Sequence, residues 1–144
     1  MLSYTDYRGA KYYWYGPDAN EMFAAGREVK HLVAGARKII CEFIANNTDP
    51  KKVNIDLMGY SRGGYTAIEI AWELKKNKCP HNDEYVNVRF MGLYDPVSSV
   101  MQGSWFSDPA MPSNVDNIVI SYGNPELGLY VNGNRFTFMT IMFI

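Results

Sequence analysis

Ser61 is the residue of this chain whose surroundings most clearly suggest chemistry. It stands in the run Val53-Asn-Ile-Asp-Leu-Met-Gly-Tyr-Ser-Arg-Gly-Gly-Tyr-Thr-Ala-Ile-Glu-Ile-Ala-Trp-Glu-Leu74, between Gly59 and Gly63. An apolar run, a Gly-x-Ser-x-Gly turn and an amphipathic helix follow one another, which is the context a nucleophile elbow needs. Such a turn leaves the serine at its tip. Gly59 and Gly63 matter because a side chain at either place would meet neighbouring backbone. The helix that starts behind Ser61 aims N–H groups at an anion forming there. A bare Gly-x-Ser-x-Gly arises by chance in roughly one chain in twenty of this length, so the flanking strand and helix carry the reading. The competing explanation is a glycine-rich turn whose serine caps the helix.

A serine hydroxyl at its free pKa is a weak nucleophile and needs a base beside it, which an acid then orients. Asp95 ends a second apolar run, Val86-Asn-Val-Arg-Phe-Met-Gly-Leu-Tyr-Asp-Pro96, and in a parallel sheet it would leave on the same edge as Ser61. The alternative for Asp95-Pro96 is a strand-ending turn. Arg62 itself reads as solvent-facing or salt-bridged, since the serine mechanism does not require its side chain. Asp56 lies five residues before Ser61, well down the strand, and is expected to face an edge or a polar layer. The chain has two histidines. His31 falls within a long helix beside Lys30 and is expected to meet solvent. His81 follows the helix after the elbow. About 16 helical residues carry the chain roughly 24 Å from Ser61 at 1.5 Å per residue, which puts His81 at the opposite edge of the sheet.

These residues must be positioned by a small set of elements. Tyr12-Tyr-Trp-Tyr15 reads as a short strand or an aromatic loop, and Gly16-Pro17-Asp18 starts a helix. That helix is expected from about Asp18 to Asn46, with Met22, Val29, Leu32, Val33, Ala36, Ile39, Ile40, Phe43 and Ile44 on an apolar stripe. Arg27, Lys30, Arg37 and Lys38 form its solvated face. Pro50 prevents continuation. A strand over Val53–Tyr60, a helix from Arg62 to about Asn77 and a strand ending at Asp95 make a βαβ unit with parallel strands. Residues 97–114 form a long loop. Asn117–Tyr122 is a third strand. Asn132-Gly133 is a hairpin signal between Leu127–Val131 and Arg135–Ile144.

The chain has 144 residues, so one domain is the default. Its net charge of −1 gives no electrostatic case for nucleic acid or an anionic membrane. Cys41 and Cys79 lie in or beside helical stretches without metal-ligand spacing, so neither a metal nor a disulfide framework is expected. The N-terminus has no signal-peptide core and no apolar run reaches membrane-spanning length, which leaves the cytoplasm as the default location. The turn lacks both Gly-x-Gly-x-x-Gly and the P-loop lysine pattern, which disfavours a nucleotide-binding βαβ protein.

Gly59-Tyr-Ser-Arg-Gly-Gly64 resembles the elbow of α/β-hydrolases, and more narrowly that of the "G-[FYW]-S-R-G" lipase-like group, which includes phospholipase effectors of type VI secretion. Phe90-Met-Gly-Leu-Tyr-Asp-Pro-Val97 is similar to that group's next strand, which ends in the triad acid. Pro112-Ser-Asn-Val115 resembles the segment after it. The resemblance spans roughly residues 12–124 and implies an α/β fold with a mainly parallel sheet, flanking helices and, from the turn signal, a C-terminal hairpin. It implies Ser61 as nucleophile, Asp95 as acid, the Arg62 backbone N–H as an oxyanion donor, a small-molecule or lipid ester as substrate, and no cofactor. Family order requires a histidine after the acid, and none follows Asp95. The strands and glycine-containing loop that such hydrolases carry before the long helix also have no counterpart. Residues 1–144 are therefore expected to be a single, incomplete α/β-hydrolase-like domain, impaired in catalysis and with an open sheet edge prone to pairing. The other class of function is a non-catalytic α/β binding or assembly module that keeps the elbow geometry.

Overall fold

The computed structural model describes residues 9–15, 25–47, 49, 53–80, 85–96, 111–121 and 139–143. In chain order they form β1 (Lys11–Tyr15), α1 (Ala25–Ala45), β2 (Ile55–Tyr60), α2 (Arg62–Lys76), β3 (Val88–Tyr94), β4 (Val115–Ser121) and β5 (Met139–Phe143). The five strands make one sheet in the order β1-β5-β2-β3-β4. β2, β3 and β4 are parallel neighbours, as the βαβ pattern requires. β5 lies antiparallel to both β1 and β2. The fold is thus α/β: among the described residues, three parallel strands form part of a five-stranded mixed sheet accompanied by two helices.

Tyr12–Tyr15 is strand rather than loop, lengthened by Lys11. The expected start of the long helix at Asp18, most of the 97–114 loop, Tyr122, His81 and the Asn132-Gly133 turn lie outside the described residues. The C-terminal run contributes β5, which takes the side of β2 away from β3. The elbow strand is therefore covered on both sides, and the outer strands are β1 and β4. Along β4, Val119 and Ile120 are exposed.

The core forms where the predicted apolar positions meet. α1 buries Val29, Ala36, Ile40, Cys41 and Ile44, which recur at helical spacing along one face. Against them pack Ile55 and Leu57 of β2, Ile70 and Leu74 of α2, and Val88, Met91 and Leu93 of β3, all buried. Each such Leu or Ile side chain removed from water contributes about 1.5–3 kcal/mol. β2 and β3 bury consecutive positions, and so both faces, over much of their length, which explains their nearly unbroken apolar runs.

Three expectations are corrected. Cys41 and Cys79 are joined by a disulfide, with Cα atoms 5.3 Å apart and a sequence separation of 38. It ties the C-terminal part of α1 to the segment after α2. Local sequence gave no sign of it, because the pairing depends on how the two helices pack. Disulfides persist in oxidising compartments, so the cysteines lend no support to a reducing one. Second, of the two places expected for Asp56, an edge or a polar layer, the edge is excluded: Asp56 is buried on a central strand and accepts a hydrogen bond from Arg89 Nε at 2.9 Å, with a second contact from the guanidinium to its other oxygen. Third, Arg37 is not part of a solvated basic face. Its Nε lies 3.7 Å from Glu73 Oε1 on α2, and its guanidinium donates to the Lys78 carbonyl. Lys38 remains exposed and pairs with Glu42 at 3.8 Å, one helical turn on. Among the described residues, no helix is long and apolar enough to cross a membrane.

Candidate active site at the carboxyl edge of the parallel strands

Ser61 and Asp95 are the residues that immediately follow β2 and β3. Tyr60 is in register with Tyr94. The parallel ladder then runs one step further: the Ser61 N–H donates to the Tyr94 carbonyl at 2.8 Å, and the Asp95 N–H donates to the Ser121 carbonyl on β4 at 2.8 Å. The two candidate residues therefore leave adjacent strands at the same level, on the edge where sites of open α/β sheets gather. Neighbouring strands lie roughly 5 Å apart, so they form one constellation.

Both residues are held in an unusual backbone conformation. Ser61 has φ 53° and ψ −122°, and Asp95 has φ 43°. Among the described residues these are the two non-glycine positions with positive φ. Such a conformation costs on the order of 1–3 kcal/mol and persists only where the surroundings enforce it. At Ser61 the enforcement is visible on both sides. Its N–H is fixed by the ladder to β3, and its carbonyl accepts from the Gly64 N–H at 3.0 Å and the Tyr65 N–H at 3.4 Å as α2 begins.

The sharpness of the turn explains the glycines. A Cβ on Gly59 would lie 2.3 Å from the Gly63 carbonyl oxygen, 2.4 Å from its carbon and 2.5 Å from the Gly64 nitrogen. No side chain fits there without moving the backbone of the first helical turn. Gly63 thus fills with its own carbonyl the space that a Gly59 side chain would need. Gly64, which the Gly-x-Ser-x-Gly pattern does not single out, is also crowded. A Cβ there would be 3.1 Å from Pro96 Cβ and 3.3 Å from the Gly59 carbonyl oxygen. The Gly63-Gly64 doublet was the sequence signal for this second close approach.

Ser61 occupies the cap position of α2 but makes no side-chain cap hydrogen bond. A serine kept only to cap the helix would use its hydroxyl on the N–H of the second or third helical residue. The Arg62 N–H opens α2 directly behind it, ahead of the helical ladder that starts at Gly64. The first turn carries no acidic residue, so no carboxylate within that turn offsets the positive end of the helix dipole. The Arg62 side chain is buried rather than solvent-facing. Thr66 Oγ1 donates back to the Arg62 carbonyl at 3.0 Å. Tyr65 is buried as well, and burial together with its hydrogen bond to Glu69 pushes its phenol well above the ordinary tyrosine value.

The third block noted in the sequence has a supporting place. Pro112 is fully buried. Asn114 Nδ2 donates to the Ala71 and Val86 carbonyls at 3.0 Å each, and the Asn114 carbonyl accepts from the Val88 N–H at 2.8 Å. Asn114 therefore ties α2 to the amino ends of β3 and β4, which fixes the register that delivers Asp95. His31 is exposed on α1. Among the described residues no three His, Cys, Asp or Glu side chains group as metal ligands.

No protein-family model, no curated protein and no solved structure matches this chain.

Proposed function

We propose that this chain carries the nucleophile and acid of a serine esterase or lipase-like hydrolase, related to the α/β-hydrolases with a Gly-[Phe/Tyr/Trp]-Ser-Arg-Gly elbow. The observation that carries the reading is the coincidence of strain and position. The two residues singled out for chemistry in the sequence are, among the described residues, the two non-glycine residues with positive φ, and they follow adjacent parallel strands in register.

In this reading Ser61 Oγ attacks the carbonyl carbon of a carboxylic ester, small or lipid. Its proton passes to an imidazole, and Asp95 orients that imidazole and stabilises its charged form. The oxyanion is met by the Arg62 N–H at the positive end of α2. The alcohol departs with the proton, and water then hydrolyses the acyl-serine. The histidines of these residues are His31 and His81, and neither is assigned the role of base. These 144 residues alone therefore turn over esters slowly, and free imidazole accelerates them.

The test is turnover of a p-nitrophenyl ester by the purified chain, with and without imidazole, against Ser61→Ala. After subtraction of the rate that imidazole gives without protein, the reading expects a slow rate that rises with imidazole and is lost in Ser61→Ala. An imidazole response unchanged in Ser61→Ala would overturn it in favour of a non-catalytic module.

A further inference from the structure

We propose that Gly64 is a positioning residue for Asp95, acting through Pro96. This rests on the reading of Ser61 and Asp95 as nucleophile and acid. Asp95 is in an unfavourable conformation for two separate reasons. It is a non-glycine residue at φ 43°, and it precedes a proline, whose ring drives the preceding residue toward extended backbone. Something outside the dipeptide must hold it. Its N–H is tied to the Ser121 carbonyl at 2.8 Å on one side. On the other side Pro96 lies against the first turn of α2, where the missing side chain of Gly64 leaves room. A Cβ on Gly64 would sit 3.1 Å from Pro96 Cβ and 3.3 Å from Pro96 Cα. Those separations are tighter than ordinary packing, so either Pro96 or the helix must give way.

The helix cannot yield freely. The same Cβ would be 3.3 Å from the Gly59 carbonyl oxygen, and Gly59 is already wedged against the Gly63 and Gly64 backbone. Pro96 is the freer partner, and its displacement is passed directly to Asp95. Gly64 thus couples the two candidate residues. It belongs to the turn that sets Ser61, and it provides the surface on which the segment carrying Asp95 rests. Alanine is the better helix former, so α2 itself has no reason to keep a glycine there.

The experiment is a double-mutant cycle read as the rate at which a fluorophosphonate probe labels Ser61 at a fixed imidazole concentration. Wild type, Gly64→Ala, Asp95→Asn and the double variant are compared. Gly64→Ala is expected to slow labelling about tenfold when Asp95 is present and to have no further effect in the Asp95→Asn background. Pro96→Gly removes the Cβ that a Gly64 side chain would meet at 3.1 Å, so Gly64→Ala should slow labelling less in the Pro96→Gly background than in wild type, and this more permissive background covers the case in which Gly64→Ala alone fails to fold. An equal slowing in both backgrounds, or none in either, would overturn the positioning role while leaving the nucleophile and acid in place. Wild-type labelling no faster than that of Ser61→Ala would overturn the underlying reading and this proposal with it.

Discussion

Replacing Ser61 by glycine should make the protein more stable than replacing it by alanine, and the size of the difference follows from the turn. Ser61 adopts φ 53° and ψ −122°, a region that only glycine occupies readily. Alanine removes the hydroxyl but keeps the Cβ, so the strain stays. The hydroxyl makes no cap bond, and its loss alone should change stability by only a few tenths of a kcal/mol in either direction. Glycine removes the strain, about 1–3 kcal/mol. Against this stands the greater freedom of glycine in the unfolded chain, about 0.4–1 kcal/mol. The net expectation is that Ser61→Gly exceeds Ser61→Ala by about 1–2 kcal/mol. Urea unfolding followed by far-UV circular dichroism resolves this. With a slope of about 2 kcal/mol/M, the midpoint of Ser61→Gly should lie about 0.5–1 M above that of Ser61→Ala. Equal midpoints, or a lower one for glycine, would refute the claim that Ser61 is held under strain for a purpose other than stability.

Reduction of the Cys41–Cys79 disulfide, or its replacement by two serines, should destabilise the protein by about 4 kcal/mol. That is the chain-entropy value for a loop of this length, for a sequence separation of 38; thiol titration of the native protein should find no free cysteine. Arg89→Met leaves the Asp56 carboxylate buried beside an apolar side chain. Because Arg89 is about half-exposed, water softens the loss to about 1–3 kcal/mol, measurable in the same unfolding assay; an unchanged midpoint would show that the pair contributes nothing. Tyr65 should remain protonated in an ultraviolet phenolate titration carried above the ordinary tyrosine value. Its folded-state value is raised by burial and Glu69, so the folded state holds its proton longer than the unfolded state. That contribution to stability is present below about pH 10 and declines as pH rises further. Tyr65→Phe should flatten the decline.

The local parts of this fold were legible in the sequence. β2, α2 and β3 follow from an apolar run, a glycine turn, a helical stripe and a second apolar run, all within about 40 residues. Once the strands are parallel, Ser61 and Asp95 must share an edge. The parts set by distant packing were not legible. Nothing in Met139–Phe143 announces that it lies antiparallel between β1 and β2. The disulfide depends on α1 lying along α2. Asp56 read as facing an edge or a polar layer, and the choice between them could not be made because its partner, Arg89, is 33 positions away. The contact of Gly64 with Pro96 joins two segments that adjoin only after the βαβ unit closes. Of the site, the residue types and the glycines were readable, whereas the positive φ at Asp95 and the burial of Arg62 emerge only from the assembled backbone.

The central claim is that Ser61 is an activated nucleophile supported by Asp95. The most direct measurement is intact-protein mass spectrometry after exposure to a fluorophosphonate in the presence of imidazole, followed by peptide mapping. A single adduct on Ser61 is expected, forming more slowly in Asp95→Asn and absent in Ser61→Ala. No adduct on the wild-type chain, or one formed at the same rate without Asp95, would contradict it.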